Sequence, residues 1–299
     1  MDLGSQQATT TVTLDAAAAG GRIRLATAAR MALVAVLFAV IYHRTALTLW
    51  TTWTTNDNYS HGPLVPLASL ALVWLRRARL AQAPIRPDTR GLILIALACV
   101  VQLFGIRADV FALQGYSLLV MAFGLSLTFL GVPATRLLAF PLGYLVFMLT
   151  FPPVVVNTLS FKLKEITVGA STHAAEALGV VLRRSGMTLY LVTGELRIEN
   201  PCSGLRSLIA LVATGAIFAY VQQGGWWRRL IMLASAVPIA MAGNVVRITL
   251  LILVGHYVSV DQATGAFHDW SGYLIYAVAL LGLFAVRGLL RRRTAGKAS

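Results

Sequence analysis

Three residues far apart in the chain, Cys202, Arg247 and His268, are together capable of nucleophilic chemistry. A thiolate is a nucleophile, an imidazole transfers protons near neutral pH, and a guanidinium stabilises a thiolate or an oxyanion. Asn200 can cap a helix and Pro201 fits a first helical position, which predicts Cys202 in a first turn where the helix dipole favours the thiolate. The alternative interpretation is that Cys202 is a small packing residue near the end of a membrane span.

Two further residues are candidates to support this set. Asn244 lies three residues before Arg247 on the same helical face and can hold its guanidinium in place. Arg206 lies one turn beyond Cys202, and it serves either a thiolate or the packing of its span. Cys99, within an apolar run, is interpreted as a packing residue.

An early polar segment contains Asp57, Tyr59 and His61. The span arrangement below places it on the same side of the membrane as Cys202. The segment either shapes a substrate pocket or forms a structural loop, and the sequence leaves both interpretations open.

The composition indicates whether the chain folds in water or in a lipid bilayer. Of 299 residues, 58% are hydrophobic and 12% are charged, with a mean hydropathy of +0.75. Because a membrane-spanning helix needs about 20 mostly apolar residues, the chain is predicted to be an all-α polytopic membrane protein of about eight transmembrane helices. The predicted spans are 28–50, 62–76, 91–107, 114–131, 137–156, 202–222, 230–256 and 270–290.

The stretch between the fifth and sixth spans has a different character. Apolar residues recur at helical spacing over 157–184, interrupted by charges, which predicts an amphipathic helix lying in the periplasmic membrane interface. The residues from Met187 to Glu199 alternate around Thr193 and Gly194, which predicts a small β-hairpin leading into Cys202.

The basic residues predict the orientation. Of the 25 Lys and Arg residues, 16 fall on one side of the predicted spans and 7 on the other, and Arg206 and Arg247 fall inside spans. The positive-inside rule then places both termini in the cytoplasm. We expect a disordered cytoplasmic tail over 1–27, a transmembrane domain over 28–290 and a basic cytoplasmic tail over 291–299. The net charge of +14 is therefore interpreted as topogenic, and no nucleic-acid partner is expected.

This arrangement brings the three chemical groups to one depth. The sixth span begins at the outer face, where the seventh ends and the eighth begins, so Cys202 and His268 lie at that face. Arg247 is about 17 residues into its span, or about 25 Å of helix, and reaches the same leaflet. Because an arginine in hydrocarbon costs at least about 2.5–3.5 kcal/mol, its presence indicates a functional site.

Five stretches also resemble, in order, the exosortase/archaeosortase family of membrane transpeptidase-like enzymes. The resemblance covers about residues 50 to 290. It is carried by Asn58-Tyr59-Ser60-His61-Gly62, Pro141-Leu142-Gly143 through Pro152-Pro153, Asn200-Pro201-Cys202-Ser203-Gly204-Leu205-Arg206-Ser207-Leu208, Pro238-Ile239-Ala240 with Asn244-Val245-Val246-Arg247-Ile248, and His268-Asp269-Trp270-Ser271-Gly272.

The resemblance implies a Cys–Arg–His catalytic set, here Cys202, Arg247 and His268. It also implies secreted protein substrates that end in a short recognition motif, a hydrophobic span and a basic tail, as in bacterial PEP-CTERM proteins. The expected location is the inner membrane, with the site facing the periplasm.

Several other functions lack their motifs. The sequence contains no His-Glu-x-x-His, paired Cys-x-x-Cys, Gly-x-Ser-x-Gly elbow or phosphate-binding Gly-rich loop with lysine, so no metal or cofactor is expected. Two alternatives stay open. One is a transporter or channel that binds an anionic substrate through Arg206 and Arg247. The other is a non-catalytic membrane assembly protein.

Overall fold

The computed structural model of the protein describes residues 3–198, 204–222 and 225–295. It is mostly helical, with short 3₁₀ helices at Asp57–Tyr59 and Leu145–Met148. The α-helices are α1 (Leu3–Thr55), α2 (Leu64–Leu75), α3 (Arg77–Gln82), α4 (Arg90–Arg107), α5 (Phe111–Tyr144), α6 (Pro153–Ala177), α7 (Leu205–Val221), α8 (Trp226–Tyr257), α9 (Val260–Thr264) and α10 (Ala266–Ala295).

The chain divides into two units, Met1–Thr48 and Leu49–Ser299. Helix α1 begins at Leu3 in the first unit, and α10 extends to Ala295 in the second. The tails predicted over 1–27 and 291–299 and the transmembrane domain between them stay predictions.

Among the described residues, five helical segments are long and apolar enough to span a membrane. They are Ala29–Thr55, Arg90–Arg107, Phe111–Met148, Trp226–Tyr257 and Trp270–Leu290. Helix α7 is apolar but shorter, and α2 has only 12 residues. The protein is therefore a multi-pass membrane protein, as its composition predicted.

The third of these segments folds back on itself. Its 38 residues would measure about 57 Å as one straight helix. However, Gly131 has non-helical angles (φ 79°, ψ 179°), and the hydroxyls of Ser126 and Thr135 lie 2.9 Å apart. Because residues nine apart in a helix are about 13 Å apart, the chain reverses at Gly131. The two limbs overlap the segments predicted as separate spans, 114–131 and 137–156, and the number of crossings stays a prediction.

Helices α7, α8 and α10 pack side by side in alternating directions. Gly215 of α7 faces Ala236 of α8, and Gly282 of α10 faces Ile239. A buried cluster joins the three helices over one half of their length: Leu211, Ala219, Met232, Ala236, Ala240, Ala279, Leu283 and Leu290. At the other end of this three-helix bundle, the N-termini of α7 and α10 meet the C-terminal half of α8.

Helix α6 is present, but it differs from the predicted interfacial helix in extent and direction. It ends at Ala177, followed by Gly179 in a left-handed conformation (φ 88°) that stops the helix. Thr167 bonds to Asn244 and Ser171 to Val245, while Ala175 joins a buried cluster with residues 248–252. Helix α6 thus runs alongside α8 in the same direction, because its Ser and Thr residues bond to that helix.

The predicted hairpin is part of a three-stranded antiparallel sheet in the order β1 (Arg183–Ser185), β2 (Thr188–Leu191) and β3 (Gly194–Arg197). β2 and β3 form the hairpin, with Leu191 opposite Gly194; β1 lies where the sequence predicted helix. The sheet packs on the C-terminal end of α8 and on α9. The buried residues where these elements meet are Val168, Ala175, Val180, Leu189, Leu191, Leu196, Ile198, Ile248, Leu251, Ile252 and Ala263.

Candidate active site

Arg247 of α8 and His268 of α10 are in direct contact. Nη2 of Arg247 donates to the carbonyl oxygen of His268 at 2.9 Å and lies 3.2 Å from its Nε2 atom. A guanidinium can only donate, so in this arrangement Nε2 of His268 accepts and the neutral ring carries its proton on Nδ1. Two residues predicted from separate spans are thus brought together, 21 positions apart in sequence.

Ser271 completes this arrangement, one helical turn beyond His268. Its hydroxyl accepts from Nε of Arg247 at 3.3 Å and donates to the carbonyl of His268 at 2.9 Å. A Cβ atom added to Gly272 would lie 3.3 to 3.4 Å from the guanidinium, so a larger residue at this position would crowd it. The guanidinium is therefore bonded at both Nε and Nη2.

Asn244 lies one turn before Arg247 and is 3% exposed. Its side-chain nitrogen lies 3.4 Å from the Thr167 hydroxyl, to which it donates. Its amide also packs against Gly204, where an added Cβ would lie 2.8 Å from the Asn244 Cγ and Nδ2 atoms. Asn244 thus joins α8 to α6 and to the start of α7.

The described part of α7 begins at Leu205, three residues after Cys202 in the sequence. The predicted helix start at Asn200 and Pro201 lies outside the described residues. Gly204 precedes it in a left-handed conformation (φ 74°), which residues other than glycine adopt at a cost. Cys202 itself lies outside the described residues, so its predicted place in a first helical turn stays a prediction.

Arg206 faces the early polar segment. Its Nη1 atom lies 3.6 Å from an oxygen of Asp57, with both side chains substantially exposed. Such an exposed pair contributes little stability, about 0–1 kcal/mol. The contact nevertheless shows that the segment at 57–61 and the start of α7 lie at the same end of the second unit.

Tyr59 and His61 bind the end of the fifth predicted span. The Phe151 N–H donates to the Tyr59 hydroxyl at 3.0 Å, and Nε2 of His61 donates to the Phe147 carbonyl at 3.1 Å. Trp53 donates to Met148 in the same way. These contacts favour the structural-loop interpretation, because they satisfy backbone groups where the chain leaves helical geometry.

Burial shifts the pKa of both residues. Desolvation raises the pKa of the Tyr59 hydroxyl, opposed by the bond from Phe151. Desolvation lowers the pKa of His61, opposed by its bond to Phe147 and assisted by the positive charge of Arg206. The Nδ1 atom of His61 is buried without a hydrogen-bond partner among the described residues, which agrees with a neutral ring.

A small cavity of about 10 Å³ lies between α6, α7 and α8. Thr167, Gly204 and Asn244 line it together with apolar residues. This volume is close to that needed for one water molecule. Within residues 3–198, 204–222 and 225–295, no group of three His, Cys, Asp or Glu side chains is placed to hold a metal ion.

Comparison with known families bears directly on this geometry. Residues 53–285 match the transmembrane exosortase family. The chain belongs to the exosortase family. The match includes Arg247, His268 and all five stretches that carry the resemblance, so the family assignment made from the sequence is confirmed. No curated protein and no solved structure matches the chain.

In this exosortase, the sequence does not single out two residues that contact the candidate site, Ser271 and Thr167. Ser271 stands only within the motif that begins at His268. The sequence signal that could have indicated Thr167 is the set of Ser and Thr residues in α6, of which Thr167 and Ser171 bond to α8. Cys99, interpreted as a packing residue, is in fact exposed on α4.

Proposed function

We propose that this exosortase is a cysteine peptidase or transpeptidase. It cleaves the C-terminal anchor of secreted, PEP-CTERM-like proteins at the periplasmic face of the inner membrane. The observation that carries the proposal is the contact between Arg247 and His268 at one end of the three-helix bundle. An arginine placed in a membrane span and bonded to a titratable imidazole is an arrangement that packing alone does not require.

The described residues on either side of the Cys202 segment support this assignment. Ile198 lies in the same buried cluster as Ile248 and Ile252, and Gly204 packs against Asn244. The residue before the segment 199–203 therefore contacts α8 beyond Arg247, and the residue after the segment contacts α8 before Arg247. Five residues between these points can bring a thiol within reach of the guanidinium and the imidazole.

In the proposed reaction, the Cys202 thiol gives its proton to His268, and the thiolate attacks the carbonyl carbon before the anchor. A carbon–sulfur bond forms, the carbon–nitrogen bond breaks, and protonated His268 returns the proton to the leaving amine. An acceptor amine or water then attacks the thioacyl carbon and gives a proton to His268, and the thiolate leaves. No metal or cofactor takes part.

Arg247 has a role in both steps. When His268 gains a proton, both ring nitrogens become donors, and the contact between Nη2 and Nε2 is lost. The guanidinium can then direct a donor at the thiolate or at the oxyanion of the tetrahedral intermediate. Asn244, Arg206, Tyr59 and His61 support the site without forming bonds to the reacting carbon.

The proposed topology has eight crossings with both termini in the cytoplasm. Contacts at the two ends of the second unit support it. Arg206 meets Asp57 at one end, while Arg76 lies over Tyr220 at the other. Reporter fusions after residues 85 and 225 should indicate the cytoplasm, and fusions near 185 and 262 the periplasm. An inverted pattern would reject the orientation.

The nucleophile is tested with a tagged protein that carries a C-terminal motif, span and basic tail. Cys202→Ala and Cys202→Ser should abolish conversion although the protein accumulates in the membrane, because the proposed thioester needs the Cys202 thiol. Cys99→Ala is the matched control and should retain conversion. Processing by the Cys202→Ala protein would end the covalent proposal and leave the transporter and assembly alternatives.

A further inference from the structure

Ser271 is 4% exposed and contacts the Arg247 guanidinium and the main-chain carbonyl of His268. Its hydroxyl hydrogen is directed at the His268 carbonyl within its own helix. This leaves an oxygen lone pair to accept the Nε–H of Arg247. We propose that Ser271 is a positioning residue, which fixes the Arg247 guanidinium against His268 throughout the reaction.

The contacts of Arg247 differ in how they respond to protonation. The bond to His268 Nε2 exists only while that nitrogen lacks a proton. The bonds to the Ser271 hydroxyl and to the His268 carbonyl do not depend on the charge of the ring. Ser271 therefore holds the guanidinium edge in place at the stage when the imidazolium forms and the Nε2 contact is lost.

The space beside the guanidinium is limited at Gly272, where an added Cβ would lie 3.3 Å from Nη2 and 3.7 Å from Nη1. Because the guanidinium is rigid and planar, the bonds at its separate nitrogens fix its orientation. Removing the Ser271 hydroxyl keeps the Nη2 bond to the His268 carbonyl but removes the bond that orients Nε.

The inference rests on the proposed function, and it is tested by two measurements of which only one needs a substrate. Ser271→Ala, Ser271→Thr and Ser235→Ala are compared in a Cys99→Ala background at matched membrane levels. Ser235 is the control because its hydroxyl makes the same bond to a carbonyl three residues earlier, Met232, away from the site. The first measurement is the steady-state cleavage of the tagged substrate, and the second is the alkylation rate of Cys202 by iodoacetamide.

Ser271→Ala should lower kcat on the order of 10²-fold with little change in KM, because misorientation of a catalytic group acts in the transition state. It should also slow alkylation several-fold, since a misplaced guanidinium stabilises the thiolate less. Ser271→Thr keeps the hydroxyl and should restore both rates to within a few-fold of wild type. Ser235→Ala should match wild type.

Two results would overturn the inference. One is a Ser271→Ala protein that cleaves and alkylates like Ser235→Ala. The other is a Ser271→Thr protein as impaired as Ser271→Ala, which would show that packing and not the hydroxyl matters. If wild type cleaves nothing, the proposed function fails, and the alkylation rates still decide whether Ser271 positions Arg247.

Discussion

The two halves of the bundle formed by α7, α8 and α10 are held together in different ways. In one half, the buried residues are alanine, leucine and methionine, and glycine allows close approach, as where Gly215 meets Ala236. In the other half, hydrogen bonds from Arg247 join α8 to α10, and a bond between Asn244 and Thr167 links α8 to α6. The bundle therefore has an apolar half and a polar half.

Under the proposed function, this difference separates the residues that pack the helices from those that serve the reaction. Small apolar residues suffice to pack helices in lipid, because van der Waals contact between close backbones drives association there. The polar half requires an arginine whose insertion costs about 2.5–3.5 kcal/mol, which packing does not justify. Substitutions in the apolar half should therefore change the amount of folded protein, and those in the polar half the rate per molecule.

Among substitutions that compare the two halves of the bundle, the largest effect is expected for Arg247→Lys. Lysine keeps the charge but has a single nitrogen, which cannot replace both the Nε bond to Ser271 and the Nη2 bond to His268. Loss of one such directed donor typically costs on the order of 10²–10³ in rate. The measurement is conversion of the tagged substrate at matched enzyme levels. Near-wild-type conversion would show that Arg247 supplies only a positive charge, and Arg206 would become the better candidate for the catalytic arginine.

An intermediate effect is expected for Gly215→Leu in the apolar half. A Cβ atom at this position would lie 3.2 Å from that of Ala236, so a larger side chain must separate α7 from α8. Overpacking of this kind costs about 1–3 kcal/mol. The yield of detergent-stable protein should fall, while the cleavage rate of the remaining folded enzyme is retained.

Gly288→Leu is the matched control, because nothing lies within 4 Å of its Cβ position. It should accumulate at least as well as wild type, since leucine has a higher helix propensity than glycine. If Gly215→Leu instead lowered the rate per folded molecule and left the yield intact, the division between the two halves would be wrong.

The smallest effect concerns the loop that borders the polar half. Because burial lowers the pKa of His61, the folded protein binds a proton less readily than the unfolded chain, whose imidazole titrates near 6.5. Stability should therefore fall as the pH decreases below about 6.5. His61→Gln keeps a donor for the Phe147 carbonyl but does not titrate, and should reduce this acid sensitivity by about 2 °C in melting temperature.

The check is thermal unfolding in detergent at about pH 7.5 and pH 5. His43→Gln is the control, because it measures the effect on melting temperature of replacing a histidine at an exposed position in α1. An equal acid sensitivity in wild type and His61→Gln would show that other groups control the response.

Much of this protein follows from the sequence alone. Composition predicted a polytopic membrane protein, because apolar runs of this length have no other stable environment. The alternation around Thr193 and Gly194 predicted the hairpin that β2 and β3 form, and the ordered motifs predicted the family. Counting residues along the predicted spans also placed Arg247 and His268 at one depth, where they are in contact.

Other features were decided only by tertiary contacts. The direction of α6 depends on Thr167 and Ser171 bonding to α8, and the periodicity of a helix does not say which neighbour its polar face meets. The contact that underlies the proposed role of Ser271 is with a side chain 24 positions away in sequence, so the neighbouring sequence gives no indication of it. Sequence periodicity determines what a segment can bury, whereas the relative rotation and depth of packed helices determine which polar groups meet.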